Sequence, residues 1–260
     1  MIADSHCHLS SSELYGNLDD IIKRAQNAGV CYFLNAGGKF DELPLQLNIC
    51  NKFSNIWTVT GVHPHDALQY QNITAEDVLK NTIHEKVVAI GECGLDYFYD
   101  FTPRDIQIKV FKEMIKAAQE SSLPLIVHTR DAEDDTLELI TGAYHKKTFK
   151  GEIHCYSSSL ELAKQALDIG FYISASDMIT FKNAQNLRDN LSKIPIDKLL
   201  IETDSPYLAP VPMRGKISEP AYVVHTAQML AEVKGMTYEE ICLNTTKNFF
   251  TLFDKAKIDE

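Results

Sequence analysis

The chain has 260 residues, of which 45% are hydrophobic and 23% charged, and it carries a formal net charge of −11. This is the composition of a globular chain able to bury a large core, and the length suits one large domain or two small ones. A surface that grips long duplex DNA would be basic, whereas this chain is acidic and has no Lys/Arg run. Any nucleic-acid substrate is therefore expected to be held locally, at a chain end, with two divalent cations adding about +4 to the site. No apolar run approaches membrane-span length, and no basic and apolar leader precedes the first strand. A cytoplasmic monomer is the expectation.

Met1 to His8 opens the chain with an apolar, strand-like run in which His6 and His8 are two apart. Residues i and i+2 of a strand face the same way, so both imidazoles are expected in one cavity, with Asp4 below them. Further strands are predicted near residues 30–36, 57–62, 87–92, 124–128, 151–155, 170–175 and 198–203, after a first at 2–8. Helical segments fall between them at 17–28, 40–53, 74–84, 103–121, 132–144, 158–169 and 184–193, followed by 219–234 and 237–254. Ile106, Val110, Met114 and Ala117 show the one-sided apolar spacing of a packed helix. Gly29, Gly142 and Gly170 are placed as helix stops and Pro103 as a helix start. Eight strands alternating with helices predict a closed (β/α)8 TIM barrel, a single domain over 1–260 with extra C-terminal helices; an open doubly wound sheet is the alternative if one strand is miscounted.

Catalytic groups in such a barrel sit at the C-terminal ends of the strands. Reading those ends in order gives His6 and His8, His63 and His65, Glu92 and Asp96, His128 and Arg130, His154, then Glu202 and Asp204. Six of the nine histidines fall there. Any one of them alone would be an ordinary polar group. Together they would leave many ionisable side chains buried side by side at several kcal/mol each, and a pair of metal ions is the economical compensation. His, Glu and Asp donors without Cys suit Zn²⁺, Mn²⁺ or Mg²⁺. Cys7, Cys31, Cys50, Cys93, Cys155 and Cys242 show no CxxC spacing and are expected to be free thiols. Cys7, Cys93 and Cys155 each adjoin a site residue, and strand alternation turns them to the opposite side.

Several ordered motifs spanning nearly the whole chain resemble the TatD family of metal-dependent deoxyribonucleases. They are Asp4-Ser5-His6-Cys7-His8-Leu9, Gly61-Val62-His63-Pro64-His65, Gly91-Glu92-Cys93-Gly94-Leu95-Asp96-Tyr97, His128-Thr129-Arg130, His154-Cys155-Tyr156-Ser157, and the run from Glu202 to Pro210. The resemblance implies that His6, His8, Glu92, His128, His154 and Asp204 are metal ligands, with Glu92 bridging two ions. It implies a nuclease that trims single-stranded or frayed DNA 3′ to 5′ with a metal-activated water. Glu92, Asp204 and Glu202 are the expected catalytic residues. Departures are Ile217-Ser218 before Glu219-Pro220, where the family usually has a basic residue and Asn, and Ser158 where Gly is usual.

Glu202 shares a strand face with Asp204, which suits proton transfer or orientation of water; the plain alternative is a partner for a ligating histidine. Arg130 faces as His128 does and suits bidentate phosphate binding, or an ion pair with Asp131 or in the neighbourhood of Glu92. His63 is placed as a phosphate or leaving-group contact, and His65 as a loop-fixing residue. Tyr97, Phe98, Tyr99 and Phe101 either pack a lid or stack an unpaired base, and Arg214 and Lys216 predict a mobile basic loop near the mouth. Competing functions are hydrolysis of another bond on the same site, such as D-aminoacyl-tRNA, amide or phosphotriester cleavage, and a catalytically idle binding module.

Overall fold

A computed structural model describes residues 1–37, 39–99 and 101–258. The order is β1 (Ile2–Cys7), α1 (Ser12–Tyr15), α2 (Leu18–Asn27), β2 (Val30–Asn35), α3 (Leu43–Lys52), β3 (Ile56–Thr60), α4 (Ala75–Thr82), β4 (Val87–Asp96) and α5 (Arg104–Ser121). It continues with β5 (Leu125–Arg130), α6 (Glu133–Tyr144), β6 (Gly151–Ile153), α7 (Leu160–Asp168), β7 (Tyr172–Ala175), α8 (Gln185–Lys193), β8 (Leu199–Ile201), α9 (Val223–Lys234) and α10 (Tyr238–Leu252). Neighbouring strands pair in sequence order, all in parallel. Just beyond β8 the chain runs alongside β1, where the Asp204 N–H donates to the His6 carbonyl at 3.0 Å and the His8 N–H to the Ser205 carbonyl at 2.7 Å. The predicted single-domain TIM barrel is the observed fold.

Local sequence explains most boundaries. Capping boxes start α4 (Thr74 with Asp77) and α10 (Thr237 with Glu240), giving partners to backbone N–H groups that have none inside the helix. Gly29 and Gly170 follow α2 and α7 in the left-handed region, at φ 89° and 83°, where glycine carries no steric penalty. Pro103 precedes α5 as expected. Gly142 does not stop a helix; it lies exposed in the last turn of α6. The glycine penalty there, about 1 kcal/mol, is outweighed by packing of Leu137 and Ile140 on the barrel.

Two layers of core result. Helix faces pack on the outward strand residues, among them Phe33, Ile90, Val127, Ile153 and Ile201. Inside the barrel, Ala3, Leu34, Val59, Val88, Ile126 and Leu200 meet Trp57, the α10 residues Phe249 and Leu252, and Phe253 just after the helix. α10 thereby closes the N-terminal end of the barrel, and the other end is left to the polar residues. Among the described residues no helix is long and apolar enough to cross a membrane.

Candidate metal centre

β4 carries the central residue. It extends farther than predicted, staying paired with β5 from Cys93–Val127 up to Asp96–Arg130, so Glu92 and Asp96 face the same way. Gly94 between them allows this approach, because a Cβ there would overlap the His128 carbonyl oxygen. β6 and β8 end earlier than predicted, at Ile153 and Ile201. His154 still bonds across to β5 through its N–H to the Val127 carbonyl, and the chain turns into the left-handed region at Cys155 and Asp204, at φ 44° and 57°.

Glu92 is buried among imidazoles. Its Oε1 lies 2.9 Å from His154 Nε2, 3.1 Å from His128 Nδ1 and 3.4 Å from His63 Nε2. Its Oε2 lies 3.2 Å from His6 Nε2 and 3.8 Å from His8 Nε2. Asp204 Oδ1 is 3.3 Å from His8 Nε2 and 3.9 Å from His6 Nε2. Two further carboxylates hold the rings from behind. Glu202 Oε1 accepts from the Cys155 N–H at 2.8 Å and lies 3.2 Å from His154 Nδ1. Asp96 Oδ2 sits 2.9 Å from His65 Nε2 and 3.0 Å from His128 Nε2. A carboxylate on the far nitrogen fixes the tautomer and angle of a ligating imidazole.

The charges interlock. Burial resists ionisation of Glu92, but His154, His63 and His128 outweigh it and hold its carboxyl well below the usual range. Burial opposes charge on His154 too, yet Glu92 and Glu202 push it well above the ordinary imidazole value. His6, stacked on His154 with centroids 4.0 Å apart, is shifted down by burial and by that neighbour's charge. Burial pulls His63 down to about 4 in spite of Glu92.

This donor set fits divalent cations. His6 Nδ1, His154 Nε2 and Glu202 Oε2 are buried without a hydrogen-bond partner; His154 Nε2 is close to Glu92 but not aligned for a hydrogen bond. Three sets of donors converge within coordination reach: His6, His8 and Glu92; His63, Glu92 and His128; and His6, His154 and Glu202. Each oxygen of Glu92 faces a different group of nitrogens, the arrangement a bridging carboxylate needs. All donors are nitrogen or oxygen, as suits Zn²⁺, Mn²⁺ or Mg²⁺.

Several expectations are corrected. Asp4 does not share the histidine cavity: its carboxylate accepts from the backbone N–H of His6 and Thr203 and from Thr203 Oγ1. A register shift between Asp4 and Cys7 breaks the simple alternation. Arg130 is exposed, with its guanidinium 3.8 Å over the Phe98 ring, and no ion pair with Asp131 occurs among the described residues. Cys7 and Cys93 do turn outward as expected, each donating to a backbone carbonyl. Cys155 lies past β6, where strand alternation no longer applies, and its thiol donates to Ser176 Oγ. Arg214 is anchored, donating to the Ala209 carbonyl and lying 4.1 Å over Phe181. Gln107 of α5 went unnoticed in the sequence; it receives the Asp96 N–H and donates to the Asp96 and Thr102 carbonyls, and no local pattern marks it. Asp96 stands at the strand end as expected, and its hold on His65 and His128 follows from the alternation of Glu92, Gly94 and Asp96.

Comparison with known proteins agrees with this architecture. The family model for TatD related DNase matches residues 3–254. The uncharacterized metal-dependent hydrolase YabD of Bacillus subtilis is 39% identical over 258 residues, covering 97% of this chain and 99% of that one. The 3′-5′ ssDNA/RNA exonuclease TatD of Shigella flexneri is 33% identical over 258 residues, covering 97% and 99%. The crystal structure of YJJV, a TatD homolog from Escherichia coli, superimposes with a TM-score of 0.87 at 25% identity over 97% of this chain and 98% of the other. The chain belongs to the TatD family of metal-dependent hydrolases.

Proposed function

We propose that this hydrolase is a nuclease that removes nucleotides from the 3′ ends of single-stranded or frayed DNA. The observation that carries the reading is Glu92, whose two oxygens face separate groups of imidazoles. His6, His8, Glu92, His128, His154 and Asp204 would hold two divalent ions between them. Bound there, such ions would supply Lewis-acid activation of a phosphodiester and a water of lowered pKa.

The remaining chemistry belongs to the chain. Glu202 holds His154 and the Cys155 N–H with one oxygen and keeps the other free, so the same carboxylate orients a ligand and can take a proton. His63 keeps its Nδ1 as acceptor for the His65 N–H and directs Nε2 into the centre, where it can donate to a phosphoryl oxygen. Arg130 stands at the rim, where the edge of its guanidinium can meet the next phosphate. The likeness to a 3′-5′ ssDNA/RNA exonuclease supports phosphodiester hydrolysis over other ester or amide chemistry.

The test is release of label from a 3′-labelled single-stranded DNA oligonucleotide by metal-supplemented protein, with a chelator control. Release should disappear with chelator and with Glu92→Ala, and fall steeply with Glu202→Ala. A folded, metal-loaded wild type that releases nothing would overturn the nuclease reading and direct the search to aminoacyl esters and amides.

A further inference from the structure

The loop after β4 carries aromatic side chains of two kinds. Tyr97 is tied to the body of the protein, its hydroxyl donating to Asp135 at 2.6 Å and Arg104 lying 4.1 Å over its ring. Phe98, Tyr99 and Phe101 are instead 54%, 39% and 61% exposed. Such side chains gain by burial, so three neighbouring exposed rings at the rim of a catalytic mouth mark a binding surface.

These rings form one cluster. Tyr99 and Phe101 stack with centroids 5.2 Å apart and planes 17° from parallel, and Phe98 meets Tyr99 edge-on at 4.8 Å. The Arg130 guanidinium lies 3.8 Å from the Phe98 ring centre and 4.9 Å from that of Tyr99. The group is also joined to the centre. Asp96 Oδ1 accepts from the Phe98 and Tyr99 N–H groups, while Oδ2 holds His65 and His128. The His65 ring touches Tyr99 and Phe101 edge to face, at 5.3 and 4.9 Å.

We propose that Phe98, Tyr99 and Phe101, with Arg130 stacked against them, form a platform for an unpaired base of the substrate strand, beside the phosphodiester held at the centre. This rests on the nuclease reading above. A near-parallel pair of rings can be continued by a nucleobase, since every base offers a π-face, and an adjacent guanidinium strengthens such a stack. Bases inside a duplex have both faces covered by their neighbours, so the platform selects unpaired strands and frayed ends. It also gives an acidic chain a purchase on nucleic acid without a basic track.

The test separates binding from cleavage. Fluorescence anisotropy on metal-loaded protein would compare a labelled phosphorothioate pentathymidylate, which resists hydrolysis, with the same backbone carrying abasic residues. Wild type should prefer the thymidylate. The Tyr99→Ala/Phe101→Ala double variant should lose about tenfold of that preference, and Phe101→Trp should keep it. Phe101→Ser, at the most exposed ring, carries the same test alone if the double variant misfolds. An undiminished preference in the alanine or serine variants, or no preference in wild type, overturns the platform. Nucleotide release without base preference would leave the nuclease reading standing and remove only the platform. Base-dependent binding lost in the variants, with no hydrolysis by wild type, would keep the platform and remove the nuclease; absence of both binding and release removes both.

Discussion

Toward the N-terminal ends of the strands, the barrel is filled by Ala3, Leu34, Val59, Val88, Ile126 and Leu200 and sealed by Phe249 and Leu252 of α10 and by Phe253 just after it. Toward the C-terminal ends the same strands present His6, Glu92, His128 and Glu202. One step of the pleat separates Ile126 from His128 and Leu200 from Glu202, so the change from apolar to ionisable occurs within two residues. The upper end holds orphaned donors and acceptors that would destabilise an ordinary core. The lower end is lined almost wholly by apolar side chains. A barrel can concentrate unfavourable burial at one end because the other end supplies the stability that tolerates it.

The division is broken most directly by emptying the lower end. Phe253 is fully buried against the inner cluster, and Phe253→Ala should lower unfolding stability by about 3–5 kcal/mol. Trp57, the single tryptophan, lies in the same cluster and reports the transition by fluorescence in a denaturant titration. Metal content and activity per folded molecule should be those of wild type. A parallel loss of metal affinity would mean that the two ends are not separable.

At the upper end the sign reverses, because ligation relieves what burial imposes. Metal at a hundred times its dissociation constant should stabilise the fold by about 2.7 kcal/mol, seen as a raised denaturation midpoint that chelator reverses. Glu92→Ala should lose most of that increment while leaving the Phe253 effect intact. An equal shift in wild type and Glu92→Ala would place the ions elsewhere.

How much of each end was legible in the sequence follows the same division. The barrel could be read because its alternation of apolar runs and one-sided helices is local, and the centre could be read because HxH, Gly-Glu-Cys-Gly-Leu-Asp and Glu-Thr-Asp sit at strand ends. What escaped depends on partners distant in the chain. Asp4 left the cavity through a register shift set by pairing with β2. Asp96 was read at the strand end, but its hold on His65 and His128 was not, because pairing with β5 carries β4 four residues past its predicted end at Glu92. Tyr97 parted from Phe98 and Tyr99 because Asp135 and Arg104 capture it. α10 was visible as an amphipathic helix, but its role as the floor of the barrel is decided by Trp57 and its neighbours.

Glu152 sharpens the comparison because it violates it. It stands on β6 level with Ile126 and Tyr172, inside the apolar layer, fully buried and with neither oxygen partnered. Burial, aided by the charge of Glu202, pushes its carboxyl well above the ordinary value of 4.5, and His154 offsets this only in part. Well below 4.5 the folded and unfolded chains hold the same proton and the shift has no effect on stability. As pH rises past that value the unfolded chain ionises while the folded one keeps its proton, so stability is lost with rising pH. Glu152→Leu removes that loss and fills the same space, and should stabilise the fold by about 1–3 kcal/mol at pH 8, with a smaller gain at pH 5. Denaturant titrations at the two pH values measure the difference. Equal gains would mean that Glu152 is ionised in the fold. A net loss accompanied by lower activity would mean that, through His154 two residues on, it serves the upper end.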